Sequence, residues 1–186
     1  KLDAMKDKGI ENTSIKTRGY GYIGINAGKV PSMQVRQAIM HSIDTSMTVS
    51  YYGNTASAIY RSLSLTSWAY PKGATAYYPY VGAPIPENLD VVNPAYAEFV
   101  EDKGYSAGEV MSPEDQKEFI RELVDGAGYT VGGDGVYVKG THKLKLTFTI
   151  AGTETDHPAF NAFYKAAELL NQLNFNILEP FDLYFL

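Results

Sequence analysis

Residues 20–44 read YGYIGINAGKVPSMQVRQAIMHSID, and they spell a strand, a turn and a helix in that order. Tyr20, Tyr22, Ile23 and Ile25 are aromatic or β-branched, which suits a pleated, half-buried surface. Gly21 and Gly24 interrupt that run and permit close backbone approach. Asn26-Ala27-Gly28-Lys29 reads as a turn. Ser32, after Pro31, is an N-cap for a helix running to about Asp44. Val35, Ala38, Ile39, Ser42 and Ile43 recur at helical spacing and form one narrow apolar face. Arg36, Gln37 and Asp44 are expected to point away from it. The unit is a βα element whose helix packs back on its strand.

Around this unit the composition narrows the class. The chain has 186 residues, enough for one sizeable core. Its 45% hydrophobic and 20% charged content is that of a globular protein. A net charge of −5 and the lack of a basic cluster argue against a nucleic-acid binder. No apolar run approaches the ~18 residues of a membrane span. Cysteine is absent, which removes disulfides, thiolate chemistry and Cys-type zinc sites. Tyrosine is frequent, at 15 residues. Its apolar ring and polar tip suit both wet binding surfaces and packed positions, and for any single Tyr the packed role is expected.

Lys1–Lys8 suggests a short helical piece ending at Gly9, and Ile10–Arg18 a possible strand. From Thr45 to about Pro94 the pattern is irregular. Gly53-Asn54 marks a turn, and the segment 71–94 is a long Pro- and Gly-punctuated loop carrying Tyr77, Tyr78 and Tyr80. Such loops are often functional, although packing of these tyrosines on the domain is the expected role. Asn93–Lys103 reads as a short helix with Pro94 early and Gly104 after it. Its Glu98, Glu101 and Asp102 read as surface acids. Ser112-Pro113-Glu114-Asp115 opens a further helix with an N-cap, Pro at N1 and acids in the first turn. Phe119, Ile120, Leu123 and Val124 form its stripe. Val136–Val138 and Leu144–Ile150 read as strands, with a hairpin between them around Lys139–His142. Leu144, Leu146, Phe148 and Ile150 alternate with Lys145, Thr147 and Thr149, so one face is buried. A last helix starts at Asp156 with Phe160, Phe163, Tyr164, Ala167, Leu170 and Leu173 as its face. It ends at Asn174, which tolerates the left-handed conformation, and Phe175–Ile177 starts another strand. Strands alternating with helices point to an α/β fold: a mixed β-sheet with flanking helices.

Enzyme chemistry finds no footing. His41, His142 and His157 lack metal-ligand spacing, so no metal site is expected. There is no G-x-S-x-G, and Gly132-Gly133-Asp134-Gly135 lacks the Lys-Ser/Thr ending of a phosphate loop. No catalytic residue and no cofactor is expected.

The strand ending Ile25-Asn26, then Val35-Arg36-Gln37-Ala38 and Asp44, resembles the signature of the family 5 extracellular solute-binding proteins. These are the oligopeptide- and dipeptide-binding receptors of ABC importers. Gly53, Ala56, Ala58 and Trp68-Ala69-Tyr70 fit the family's next loop loosely, with Ser57-Ala58 standing where a Pro-Ala pair is usual. Ala127-Gly128-Tyr129 and Asp134-Gly135 match the end of its later helix. The resemblance implies one lobe of a type II-like periplasmic-binding fold, with residues 1–186 as a single lobe of a protein more than twice as long. It implies capture of extracellular peptides or similar small solutes, docking on ABC permease subunits, and a place at the outer face of the membrane or in the periplasm. Membrane attachment would come only through a lipid anchor of the full-length protein. Tyr22 and Asn26 at the strand end, and Trp68 in the following loop, are the expected ligand-binding residues. Arg36 and Asp44 are expected to make local polar contacts. With half of the cleft in hand, no tight peptide binding is expected. The alternative is a free-standing, non-enzymatic extracellular interaction module that uses the Tyr-rich loop as its contact surface.

Overall fold

The structure is a computed structural model and describes residues 7–11, 13, 15–53, 55–73, 80–89, 93–150 and 156–177. Among the described residues, five α-helices and two small sheets follow in the order α1 Met33–Ser42, α2 Thr45–Tyr51, α3 Pro94–Asp102, α4 Pro113–Gly126, β1 Thr130–Val131, β2 Tyr137–Lys139, β3 His142–Lys143, β4 Lys145–Leu146, α5 Phe160–Gln172 and β5 Asn176–Ile177. The expected α/β architecture is present, with its mixed pairing divided in two. β1, β2 and β3 form an antiparallel sheet, and β4 pairs in parallel with β5. Backbone bonds join the two sheets: Leu144 N donates to Tyr137 O, Tyr137 N to Asn174 O and Asn176 N to Leu144 O.

Helix α1 forms where the sequence placed it. Ser32 Oγ accepts from Val35 N at 3.3 Å, and Val35, Ala38, Ile39, Ser42 and Ile43 are buried. α1 packs on α4 and, less extensively, on α5. Gln37 departs from expectation and is buried as well, because neighbours close over two sides of this helix. Asp44 is not the end of α1. It caps α2, its Oδ1 accepting from Ser46 N at 2.9 Å and Ser46 Oγ at 2.6 Å. That helix was missed because Thr45, Thr48 and Val49 are weak helix formers. It persists by its cap and by packing on α5.

The first strand does not form. Residues 19–26 belong to no sheet among the described residues, and the described residues between 10 and 18 form none either. Ile23 and Ile25 still rest against the core. The composition favours extended backbone. A strand also needs a neighbour to take its N–H and C=O groups, and none lies beside this one. The helical piece expected at Lys1–Lys8 lies mostly outside the described residues.

α3 and α4 match the reading. Asn93 Oδ1 caps α3 through Ala95 N, and Ser112 Oγ caps α4 through Asp115 N at 3.1 Å. Phe119, Ile120, Leu123 and Val124 are all buried. Phe119 sits among the rings of His41, Tyr96 and Phe99, with centroids 5.1, 5.3 and 5.3 Å away. The hairpin turns at Gly140-Thr141 with Lys139 opposite His142. Leu144–Ile150 keeps its period of two in burial, yet it pairs over Lys145–Leu146 alone, and with β5 rather than with the hairpin. α5 starts at Phe160, later than Asp156, because His157 Nδ1 takes Ala159 N at 3.1 Å and turns the chain first. Tyr164, expected on the buried face, is 41% exposed. Asn174 adopts φ 65°, the left-handed conformation expected of it.

Asp115 joins α3 to α4. Its carboxylate accepts from Ser112 Oγ and Tyr105 OH, both at 2.6 Å, and faces Lys103 at 3.2 Å. The Ser112 and Tyr105 hydroxyls, then Lys103, lower its pKa from 3.8 to about 2. A folded pKa below the unfolded one means stability that is present above the ordinary carboxylate range and lost as pH falls toward about 2. Asp115→Asn should therefore flatten the acid limb of the stability profile between about pH 4 and about pH 2. Urea midpoints taken across that range check it, and an unchanged slope would count against the Asp115 network.

Candidate functional site

Four local devices build the region that holds the expected ligand residues. Asn26 makes the turn before α1: its Oδ1 accepts from Gly28 N at 2.9 Å and Lys29 N at 3.2 Å, and its carbonyl from Val30 N at 2.9 Å. Arg36 Nη1 donates to Val30 O at 2.7 Å and Pro31 O at 2.8 Å. This anchors the entry to the helix, the local role expected for Arg36. The loop 60–70 closes on itself, with Tyr60 N donating to Tyr70 OH, Ser67 N to Ser64 O and Tyr70 N to Ser67 O. Finally, Tyr20 OH donates to Ser62 O at 3.3 Å and Ser64 Oγ to Thr17 O at 3.4 Å. Those two bonds tie the extended segment 17–25 to the loop 60–70.

The tied segments carry the most exposed aromatic side chains of the core-flanking region. Trp68 is 98% exposed and Tyr22 86%. Ile15, Tyr20, Leu63 and Leu65 are exposed beside them in sequence. Trp68 and Tyr22 thus stand in water on two segments that are bonded to each other. Asn26 is also exposed, but its oxygen is committed to the turn, so its amide nitrogen is the group it can offer. Tyr22 and Asn26 lie on one segment and Trp68 on the loop bonded to it. Among the described residues no direct contact joins Trp68 to either.

Beside Asn26 an open hollow of about 320 Å³ runs along α1, lined by Ile25, Met33, Arg36, Gln37 and Met40. It takes the side of α1 that the apolar-stripe reading set aside. Met33 and Met40, seven residues apart, were its legible signal: flexible thioethers that adapt to varied apolar groups. Among the described residues, no group of three or more His, Asp or Glu comes together as a metal site.

Two solved structures resemble this fold. One is the oligopeptide-binding protein AppA from Bacillus subtilis in complex with a nonapeptide, with 17% identity over 80% of this chain and 23% of that one, at a TM-score of 0.49. The other is the mannohexaose-bound periplasmic oligopeptide-binding protein of an oligopeptide ABC transporter from Thermotoga maritima, with 17% identity over 81% of this chain and 23% of that one, at a TM-score of 0.37. The chain thus spans less than a quarter of either structure. No protein-family model and no curated protein matches it.

The other described tyrosines are mostly occupied in the fold. Tyr51 OH donates to Asp156 Oδ1 at 2.8 Å, and that bond raises its pKa. Tyr96 and Tyr137 are buried, and burial pushes each to about 12. Tyr105 serves Asp115. Tyr80 of the Tyr-rich loop is half-buried near Asp44 and Tyr60, and its hydroxyl bonds with Ser46; burial above all raises its pKa. Tyr77 and Tyr78 lie outside the described residues. Tyr22, 86% exposed, stands further into water than the other described exposed tyrosines, which reach at most 49%.

Proposed function

We propose that this chain is one lobe of the substrate-binding component of an ABC importer. It supplies one side of a cleft for extracellular peptides or similar small solutes, with Tyr22, Asn26 and Trp68 facing the ligand. The full-length protein would deliver its cargo to ABC permease subunits from the periplasm or the outer face of the membrane, held there through a lipid anchor. The observation that carries this reading is the exposure of Trp68 and Tyr22 on two segments bonded to each other. Those segments lead into the helix whose residues resemble the family signature. An exposed aromatic pair on a fixed platform stacks on extended ligands, while the main chain beside it offers hydrogen bonds.

Trp68 is the chain's single tryptophan, so its emission reports on this surface alone. In the free protein its spectrum should match that of free tryptophan amide. Short peptides should shift it to shorter wavelength with an affinity weaker than about 1 μM. Trp68→Ala should abolish peptide binding seen by calorimetry and change stability by no more than about 0.5 kcal/mol. Submicromolar binding would contradict a half-cleft, and an emission unmoved by any peptide would defeat the reading.

A further inference from the structure

We infer that the platform of segment 16–22 and loop 60–70 selects acidic peptides, using Lys16 and Arg18 beside Trp68; this rests on the peptide-binding reading above. The argument begins with where the charges fall. Residues 12–86 contain Lys16, Arg18, Lys29, Arg36, Arg61 and Lys72 against a single acid, Asp44. Seventeen of the 21 Asp and Glu lie in residues 87–186, with seven of the 16 Lys and Arg. The net charge of −5 therefore conceals a cationic part and a strongly acidic one. Asp44 is committed to capping α2, so it does not neutralise the platform.

Geometry then concentrates two of these cations beside the aromatic surface. Thr17 O accepts from Ser64 Oγ, which places Lys16 and Arg18, its neighbours on either side, against loop 60–70. Tyr20 OH reaches Ser62 O, next to Arg61. Arg61 Nη1 donates to Tyr60 O at 2.7 Å, so its guanidinium is held at the loop's edge. Lys16 and Arg18 are exposed and, among the described residues, form no ion pair. Four of the seven cations of the acidic part behave differently. Lys103 meets Asp115 and Glu118, Lys117 meets Glu114, Lys143 meets Asp134 and Lys165 meets Glu168. Lys16 and Arg18, which flank the bond to Trp68's loop and form no ion pair among the described residues, suit an anionic partner: guanidinium takes a carboxylate in a bidentate bond, and the indole covers the apolar stem between carboxylates.

The size and charge of the partner follow. A short acidic peptide meets only the cationic platform. A nucleic-acid strand long enough to gain from its own charge is opposed by the chain's net charge of −5.

The test is titration of Trp68 emission in the full chain with tetraglutamate, tetra-alanine and tetralysine. Tetraglutamate should act at about tenfold lower concentration than tetra-alanine, and tetralysine should have no effect. The preference should weaken several-fold on going to about 1 M salt, where screening reaches within ~3 Å. Lys16→Glu with Arg18→Glu should erase the preference while the tetra-alanine response stays. Equal responses to tetraglutamate and tetra-alanine would overturn the acidic preference and leave the peptide-binding reading standing. Silence toward all three would overturn both. A stronger response to oligothymidylate than to tetraglutamate, or an emission shift with protein concentration alone, would overturn it in favour of nucleic acid or of the acidic half of a second copy.

Discussion

Phe119→Ala should lower the stability of this protein by about 3–5 kcal/mol. Phe119 is 3% exposed on the buried stripe of α4. Its ring meets Tyr96 and His41 edge-on and Phe99 at a tilt, so one side chain holds α1, α3 and α4 together. Truncation removes the transfer energy of the ring and leaves a cavity that three aromatic neighbours, one fixed on α1 and two on α3, fill poorly. Such a loss is a large share of the 5–15 kcal/mol typical of a domain. Urea unfolding should show a lower midpoint at an unchanged slope. Phe119→Leu keeps most of the volume and should cost under about 1.5 kcal/mol. A loss below about 1 kcal/mol for the alanine variant would mean that the three helices do not meet through this ring.

Leu170→Ala should cost about 2–5 kcal/mol and act on the opposite end of the core. Leu170 is fully buried on α5, close in sequence to the buried Leu173, Phe175 and Ile177. Its carbonyl accepts from Phe175 N at 3.1 Å and from Leu173 N at 3.0 Å, which sets the turn from α5 into β5. β5 is two residues long. A pair that short has little stability apart from the side chains packed on it. Loosening α5 should therefore free β5 along with the helix. Hydrogen exchange makes the coupling visible: the amide of Asn176, bonded to Leu144 O at 3.0 Å, should exchange faster in the variant than that of Val35, near the start of α1. Equal acceleration at the two sites would show that the core opens as one unit instead.

The exposed platform and the core respond to different changes, which makes the functional tests clean. Trp68, Lys16 and Arg18 are exposed, so their substitution should alter ligand response with little effect on the urea midpoint. Phe119 and Leu170 behave in the opposite way.

Much of the helical architecture was legible in the sequence because its causes are local. Ser32 and Ser112 announced their helices through cap chemistry that acts within three residues, and Pro94 with Gly104 marked the ends of α3. The stripe of α4 followed from spacing alone. Asn174 and Gly128, at φ 65° and 82°, ended their helices through backbone freedom, which belongs to the residue. Trp68 and Tyr22 could be named as surface candidates by resemblance.

What only the tertiary structure decided depends on partners far along the chain. Tyr20–Ile25 has strand composition, yet among the described residues it pairs with no strand. Leu144–Ile150 alternates as a strand should, but its partner β5 lies about thirty residues away, and spacing cannot choose between that partner and the nearby hairpin. Gln37 is buried because two other helices close over α1, and no local pattern records their arrival. The platform is the clearest case. Two long-range hydrogen bonds, from Tyr20 OH to Ser62 O and from Ser64 Oγ to Thr17 O, tie separate irregular segments together, and no local pattern records them. Caps, stripes and left-handed turns are short-range and were determined by the sequence directly; pairing, enclosure and the assembly of the site are long-range and were settled only when the chain closed on itself.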